Sequence, residues 1–229
     1  MGVGRQGWYA PAMPKGPTKR EPPSTTKAPR VLAVTSEKGG VGKSTLAVHL
    51  AGALAERGLR PVLVDEDERV GSSLRWAGRG GLGFPVLAPA DVKPRVLSAC
   101  DVLIIDTEGR PKRRELRALA GRADLILVPT GVSALERGAT RELAEYLGGP
   151  GEAGRRLWVV MCRVPPVGHA AEDAREELRD AGVQVCNTLI RSYAAYPKAA
   201  ELGVLARDVR DPRAAAAWHD ILALSRELV

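Results

Sequence analysis

Apolar residues follow two rhythms along this 229-residue chain. Val31–Thr35, Pro61–Asp65, Asp101–Asp106, Leu125–Pro129 and Leu157–Cys162 are short runs with few polar interruptions, the pattern of strands covered on both faces. Phe84–Ala88 and Val183–Asn187 are weaker instances. Between the runs, apolar residues recur at helical spacing, which predicts helices over Ser44–Arg57, Pro111–Gly121, Ser133–Leu147, Ala170–Ala181 and Arg213–Leu228. Strand and helix in alternation predict an α/β architecture: a doubly wound, mostly parallel sheet with helices on both faces. No internal repeat competes with this reading.

Residues 1–29 do not share the rhythm. They hold six of the 17 prolines and no apolar periodicity, so burial there cannot offset the entropy of ordering. The expected organisation is a disordered, basic, Pro-rich leader over 1–29 and a single domain over 30–229. Charge sharpens the division. The chain carries 34 basic and 27 acidic residues, but six of those bases and one of those acids, Glu21, fall within the first 30 positions. That stretch is therefore +5 and the remainder +2, so the high isoelectric point is no argument for nucleic-acid binding by the folded part. No apolar run approaches a bilayer span and no hydrophobic signal sequence opens the chain, so a cytoplasmic protein without membrane attachment is expected. Cys100, Cys162 and Cys186 are widely spaced and form no metal-binding pattern, consistent with reduced core thiols.

The first strand runs into Glu37-Lys38-Gly39-Gly40-Val41-Gly42-Lys43-Ser44-Thr45 and then directly into a helix. This is the setting a phosphate loop requires. Glycines let backbone N–H groups close around phosphate oxygens, and the helix presents its positive end to the same anion. Lys43 is placed to reach the β and γ phosphates of ATP and the Ser44 hydroxyl to ligate Mg2+. The second strand delivers Asp65-Glu66-Asp67 at its carboxyl end, where open α/β sheets hold ligands and carboxylates can orient a water. Val102-Leu103-Ile104-Ile105-Asp106 is an apolar strand closing on an acid, so Asp106 is expected to hold magnesium through water.

The run Lys38-Gly39-Gly40-Val41-Gly42-Lys43-Ser44-Thr45 resembles the deviant Walker A signature of the ParA/MinD family of P-loop ATPases. The resemblance covers nearly all of 30–229 and is nearest to short plasmid-type ParA partition proteins. It implies a homodimer that sandwiches ATP, with Lys38 reaching the partner's phosphates and Asp67, assisted by Asp65, acting at the hydrolytic water. The family's Asp-Pro-Gln is replaced here by Asp67-Glu68-Arg69, and the proline that usually follows the Asp106-Thr107 pair by Glu108-Gly109. By the same resemblance Arg163 is a candidate nucleotide-pocket residue, and Arg191, Lys198, Arg207 and Arg210 are candidate contacts to nonspecific double-stranded DNA. Implied partners are DNA and a ParB-type centromere-binding protein that stimulates hydrolysis, and the implied location is the nucleoid.

Alternatives remain open at this level. A MinD-like positioning ATPase requires a membrane-surface helix, for which residues 214–229 lack a basic polar face. A small-molecule ligase of the same fold leaves few traces in sequence, and the altered segment after Asp67 also suits an ATP-dependent binding switch with negligible turnover. The densest basic run of the folded part, Arg110–Arg117, suits either a solvated helix face or a contact surface.

Overall fold

The computed structural model describes residues 28–148 and 156–229; apart from Ala28 and Pro29, the expected leader lies outside the described residues. Seven strands form one sheet, β1 Arg30–Val34, β2 Pro61–Asp65, β3 Val86–Leu87, β4 Val102–Asp106, β5 Leu125–Thr130, β6 Leu157–Val164 and β7 Val185–Arg191. Their order is β3-β2-β4-β1-β5-β6-β7 and every recorded pairing is parallel. The helices among the described residues are α1 Lys43–Glu56, α2 Ser72–Ala77, α3 Pro94–Ser98, α4 Arg113–Arg122, α5 Ala134–Gly148, α6 Ala170–Asp180, α7 Ala195–Leu202 and α8 Ala214–Leu228. Two 3₁₀ turns occupy Pro89–Asp91 and Ala206–Asp208.

Period-two alternation explains why the strands look continuously apolar. In β1, Leu32 and Val34 enter one core and Ala33 the other; in β5, Leu125 and Leu127 face one side while Ile126 and Val128 face the opposite. Both sides are covered, so neither tolerates polar residues. The first core packs α1, α2, α7 and α8 on the sheet, and the second packs α4, α5 and α6. The apolar side of α8, carrying Trp218, Ile221, Leu224 and Leu228, is buried in the first core, so this helix is committed to packing. No helix among the described residues is long and apolar enough to cross a membrane.

The long elements fall within two residues of their expected bounds at most ends. The exceptions are instructive. β7, weakly apolar at its start, continues to Arg191, and α2, α3 and α7 are helices that periodicity did not predict. Each is short, and α2 depends on a distant group, the Asp65 carboxylate, which accepts the Leu74 N–H at 3.0 Å.

The exposed edges of the sheet are blunted. β3 has only two residues, and the outward N–H groups of Asn187 and Thr188 on β7 donate to the Glu227 carboxylate of α8 at 2.5 and 3.0 Å. Farther along β7, the Arg191 N–H and guanidinium both donate to Asp220, which is 4% exposed.

His49 ties the phosphate-loop helix to the carboxyl-terminal half. It is fully buried; its Nε2 accepts the Ala206 N–H at 3.0 Å, which leaves Nδ1 to donate to the Thr45 carbonyl at 2.7 Å. Trp76 and Tyr196 meet its ring edge-on at 5.4 and 5.0 Å. Burial pushes its pKa down from 6.5 to about 4. As pH falls below 6.5, the unfolded chain takes up this proton first, so His49 withdraws stability until the folded form also protonates near pH 4. The expected loss over that window is about 3 kcal/mol. Denaturant titrations at pH 7.5, 6 and 5 check it: H49Q should be less stable at neutral pH and should show a shallower pH dependence than the wild type.

Candidate functional site

The parallel register brings three strand ends together. Asp65 lies opposite Asp106, and Asp106 opposite Val34, so the turns after β2, β4 and β1 share one edge of the sheet. The phosphate loop leaves β1 and closes on α1. Gly40 and Gly42 hold φ values of 74° and 96°, where a side chain would strain the backbone, and Gly42 is also the residue before the first turn of α1. Val41, 4% exposed, anchors the loop in the core. Below the loop, Thr107 Oγ1 meets the Thr35 hydroxyl at 3.0 Å and the Val34 carbonyl at 3.1 Å, fastening β1 to the turn after β4.

Gly39, Gly40, Gly42, Lys43, Ser44 and Thr45 line a cleft of about 570 Å³ whose opposite wall carries Asp67, Ser72, Arg75 and Thr107. Lys43 is 7% exposed, and burial lowers its pKa while Asp106 and Asp67 act in opposition. The cationic form is therefore costly unless anions collect around it, which is the condition a bound polyphosphate satisfies.

Asp106 is 1% exposed. Burial raises its pKa to about 6 against the hydroxyls of Ser73 and Ser44 and the Lys43 charge, with nearby Asp65 reinforcing the rise. Ser73 Oγ donates to Asp106 Oδ2 at 2.7 Å, but buried Oδ1 has no hydrogen-bond partner. An orphaned carboxylate oxygen beside Ser44 fits a magnesium ion held by the Ser44 hydroxyl and, through water, by Asp106. Among the described residues no group of three or more His, Cys, Asp and Glu could hold a metal ion by itself.

Asp67 faces the cleft, and its Oδ1 accepts the Val70 N–H at 2.8 Å. Asp65 supports it through the backbone: its two oxygens accept the N–H groups of Asp67 at 3.1 Å and Leu74 at 3.0 Å. Asp65 is thus a positioning residue for the loop that carries Asp67. Lys38, one residue before the first glycine of the cleft, donates its Nζ to the Leu135 carbonyl at 2.9 Å, and its own carbonyl lies 3.5 Å from Lys43 Nζ.

Arg163 sits at an irregularity between β6 and β7 with a left-handed φ of 54°, unusual for a residue with a side chain. That conformation turns its guanidinium to the Gly40 carbonyl. Beyond it, Leu46, Ile190, Tyr193, Pro197 and Ile221 help to line a cavity of about 420 Å³ that shares Gly40, Gly42, Thr45 and Ala200 with the phosphate cleft. Its apolar walls suit a nucleotide base. Sequence reasoning missed Ser73 and this wall; the apolar residues of 190–197 were the only available signal, and they read equally well as core.

The four cations expected at DNA stand apart from the cleft in their bonding. Arg191 is engaged with Asp220, Lys198 with Asp211 at 2.7 Å, and Arg207 with Glu56 and the face of Trp218. Arg210 is exposed and has no ion pair among the described residues.

Ser73→Ala would leave both Asp106 oxygens without donors from α2. We expect it to weaken magnesium-dependent nucleotide binding roughly 10- to 100-fold while leaving binding in excess chelator nearly unchanged. Calorimetric titration with and without magnesium separates this from a general loss of folding.

Residues 32–84, from β1 past the Asp67 loop, match the family model described as CobQ/CobB/MinD/ParA nucleotide binding domain. The maintenance of carboxysome distribution protein A of Gloeobacter kilaueensis is 34% identical over 210 residues, 87% of this chain and 94% of that protein. Protein ParA of Rhizobium radiobacter is 29% identical over 186 residues, covering 76% and 83%. The fold is shared with the septum site-determining protein MinD of Pyrococcus horikoshii in complex with Mg-ADP, at TM-score 0.64 and 18% identity, over 87% of this chain and 95% of that one. With a phosphate loop, an orphaned buried carboxylate oxygen beside it and a relative alike along nearly its whole length, the chain belongs to the ParA/MinD family of P-loop ATPases, whose ligand is magnesium-bound ATP.

Proposed function

We propose that this chain is a DNA-partitioning ATPase whose ATP-bound homodimer holds nonspecific duplex DNA and lets go on hydrolysis. The observation that carries the reading is the second lysine. Lys43, which lines the cleft, serves as the phosphate-binding lysine of its own subunit in this reading, and Lys38, whose Nζ rests on the Leu135 carbonyl, exchanges that acceptor for the phosphates of a second copy. Asp67 orients the attacking water, and Asp65 fixes the loop that carries it. The P-loop amides and Lys43 compensate charge on the transferred phosphoryl group, and magnesium, when bound, neutralises the β and γ oxygens. Release on hydrolysis follows because the sandwich is held together by the γ-phosphate. A ParB-type partner stimulates that step.

One observation favours a second reading of the cargo. The relative at 34% identity is named for carboxysome distribution, so the moved body is either a DNA-bound partition complex or a protein compartment, with the same ATPase cycle beneath both. Membrane attachment through the last helix is disfavoured, since the apolar side of α8 is occupied.

Lys43→Ala should abolish nucleotide binding, and Lys38→Ala should bind nucleotide yet stay monomeric with ATP, as read by equilibrium titration and sedimentation. Tight ATP binding by K43A, or normal ATP-driven dimerisation by K38A, would sink the respective assignments. Asp67→Ala should keep the ATP dimer while lowering turnover by roughly 100-fold or more. Binding to duplex DNA should require ATP, weaken steeply with salt, and survive removal of residues 1–29; binding indifferent to nucleotide would reject the partition cycle.

A further inference from the structure

Helix α4 begins shortly after Asp106 and carries a concentration of cations with no counterpart elsewhere in the described fold. Between positions 110 and 117 stand Arg110, Lys112, Arg113, Arg114 and Arg117, all exposed, against the single acid Glu115. Leu116 and Leu119, 0% and 3% exposed, fix the inner side of the helix and leave the arginines on the outer one. Glu115 is engaged locally, accepting the Lys112 N–H at 2.7 Å. The cations crowd the amino-terminal turn, where the helix dipole is also positive, so their placement opposes helix stability and concentrates positive potential.

Three further observations bear on what this face meets. Arg110, Lys112, Arg114 and Arg117 have no ion pair among the described residues, in contrast to Arg191, Lys198 and Arg207 near the carboxyl terminus, each of which already holds an acid of the chain. Tyr146 of α5 lies between two of the arginines, with the guanidinium carbons of Arg113 and Arg117 at 4.8 and 4.6 Å from its ring centre, and this stacking orders them before any ligand arrives. Among the described residues, the exposed large apolar side chains, Val70, Leu135, Val167 and Leu202, all lie off α4, so the face lacks the apolar anchor at the centre of a protein interface. A phosphate backbone asks for cations and nothing more.

The helix is also wired to the nucleotide site at both ends. Arg113 Nε lies 3.8 Å from Glu37 Oε1 in the phosphate loop, and Arg122 grips both oxygens of Glu66, between Asp65 and Asp67, at 2.7 and 2.9 Å. The loops bearing Lys38 and Asp67 are therefore each joined to α4 by an ion pair.

We infer that the outer face of α4 and the turn before it, through Arg110, Lys112, Arg114 and Arg117, is the surface that contacts the phosphates of duplex DNA, and that the Glu37 and Glu66 pairs make this contact depend on nucleotide. The inference rests on the DNA-binding reading above and relocates its contacts from the carboxyl-terminal cations. Fluorescence anisotropy on a labelled random duplex, with the full chain and ATP, tests it. R114E/R117E should lower affinity by on the order of tenfold or more. K112Q/R114Q, which spares the Tyr146 stack, should make the slope of log affinity against log salt shallower by about one for each phosphate no longer neutralised. Both should bind a fluorescent ATP analogue like the wild type, which reports an intact fold. R122Q should narrow the gap between DNA affinities in ATP and in ADP. Affinity within about twofold of wild type for both surface variants, or a weakening that instead follows K198E and R210E, would overturn the α4 surface while leaving the partition reading intact. An unchanged ATP-to-ADP ratio in R122Q would overturn the coupling. A wild-type chain that ignores duplex DNA, or prefers polyglutamate to it, would overturn the partition reading and this surface together.

Discussion

One buried charge governs the arrangement of the nucleotide site. Asp106 ends a strand inside the molecule, where a carboxylate is stable only if groups around it supply what water no longer does. Ser73 satisfies one oxygen and the other is left open. Much of the neighbourhood can be derived from this. Ser73 must be brought in, so α2 must exist; α2 must be capped, so Asp65 faces its first turn; and Asp65 then fixes the backbone that presents Asp67. Lys43 stands opposite with the complementary difficulty, a cation losing its hydration. Two unfavourable burials on either side of a cleft become favourable together when a phosphate and its cation lie between them.

The distribution of acids over the rest of the domain follows a different logic. Glu227 and Asp220 on α8 and Asp211 before it neutralise backbone donors or cations on β7 and α7, and Glu56 on α1 receives both Arg207 and the Trp218 N–H. The first three tie elements of the carboxyl-terminal third to one another, and Glu56 ties that third to the phosphate-loop helix, with His49 as the buried pin between them. Their anions are committed to architecture. Among the described residues, Arg110, Lys112, Arg114 and Arg117 form no such pair, and α4, which carries the last two of them, packs on the opposite side of the sheet.

Much of this was legible in the sequence, and what was not has identifiable causes. β2 is found at Pro61–Asp65 as its apolar run demands, and the phosphate loop, Asp67 and Asp106 come together because parallel strands deliver their following turns to one edge. Leu116 and Leu119 face inward on α4 as their spacing required. Ser73 was invisible because a serine in a short polar stretch carries no mark of the carboxylate it will meet 33 positions later. The carboxyl-terminal arginines and lysine looked available because the acids that occupy them lie 29, 13 and 151 positions away in the chain. Charge counted along a sequence records how much is present, and only tertiary contact decides how much remains uncompensated. The conformation of Arg163 was equally hidden, since nothing in Met161-Cys162-Arg163-Val164 announces a left-handed residue inside a strand.

The treatment of the sheet's flanks limits how copies of this protein can build larger structures. One border strand offers two residues and the other has its outward amides occupied by Glu227, so neither can recruit a strand from a neighbour. Association must proceed through side-chain surfaces, whose complementarity can be switched by a small ligand, whereas backbone ladders, once zipped, come apart slowly. The proposed cycle, in which copies join with ATP and part on hydrolysis, calls for the reversible kind of contact.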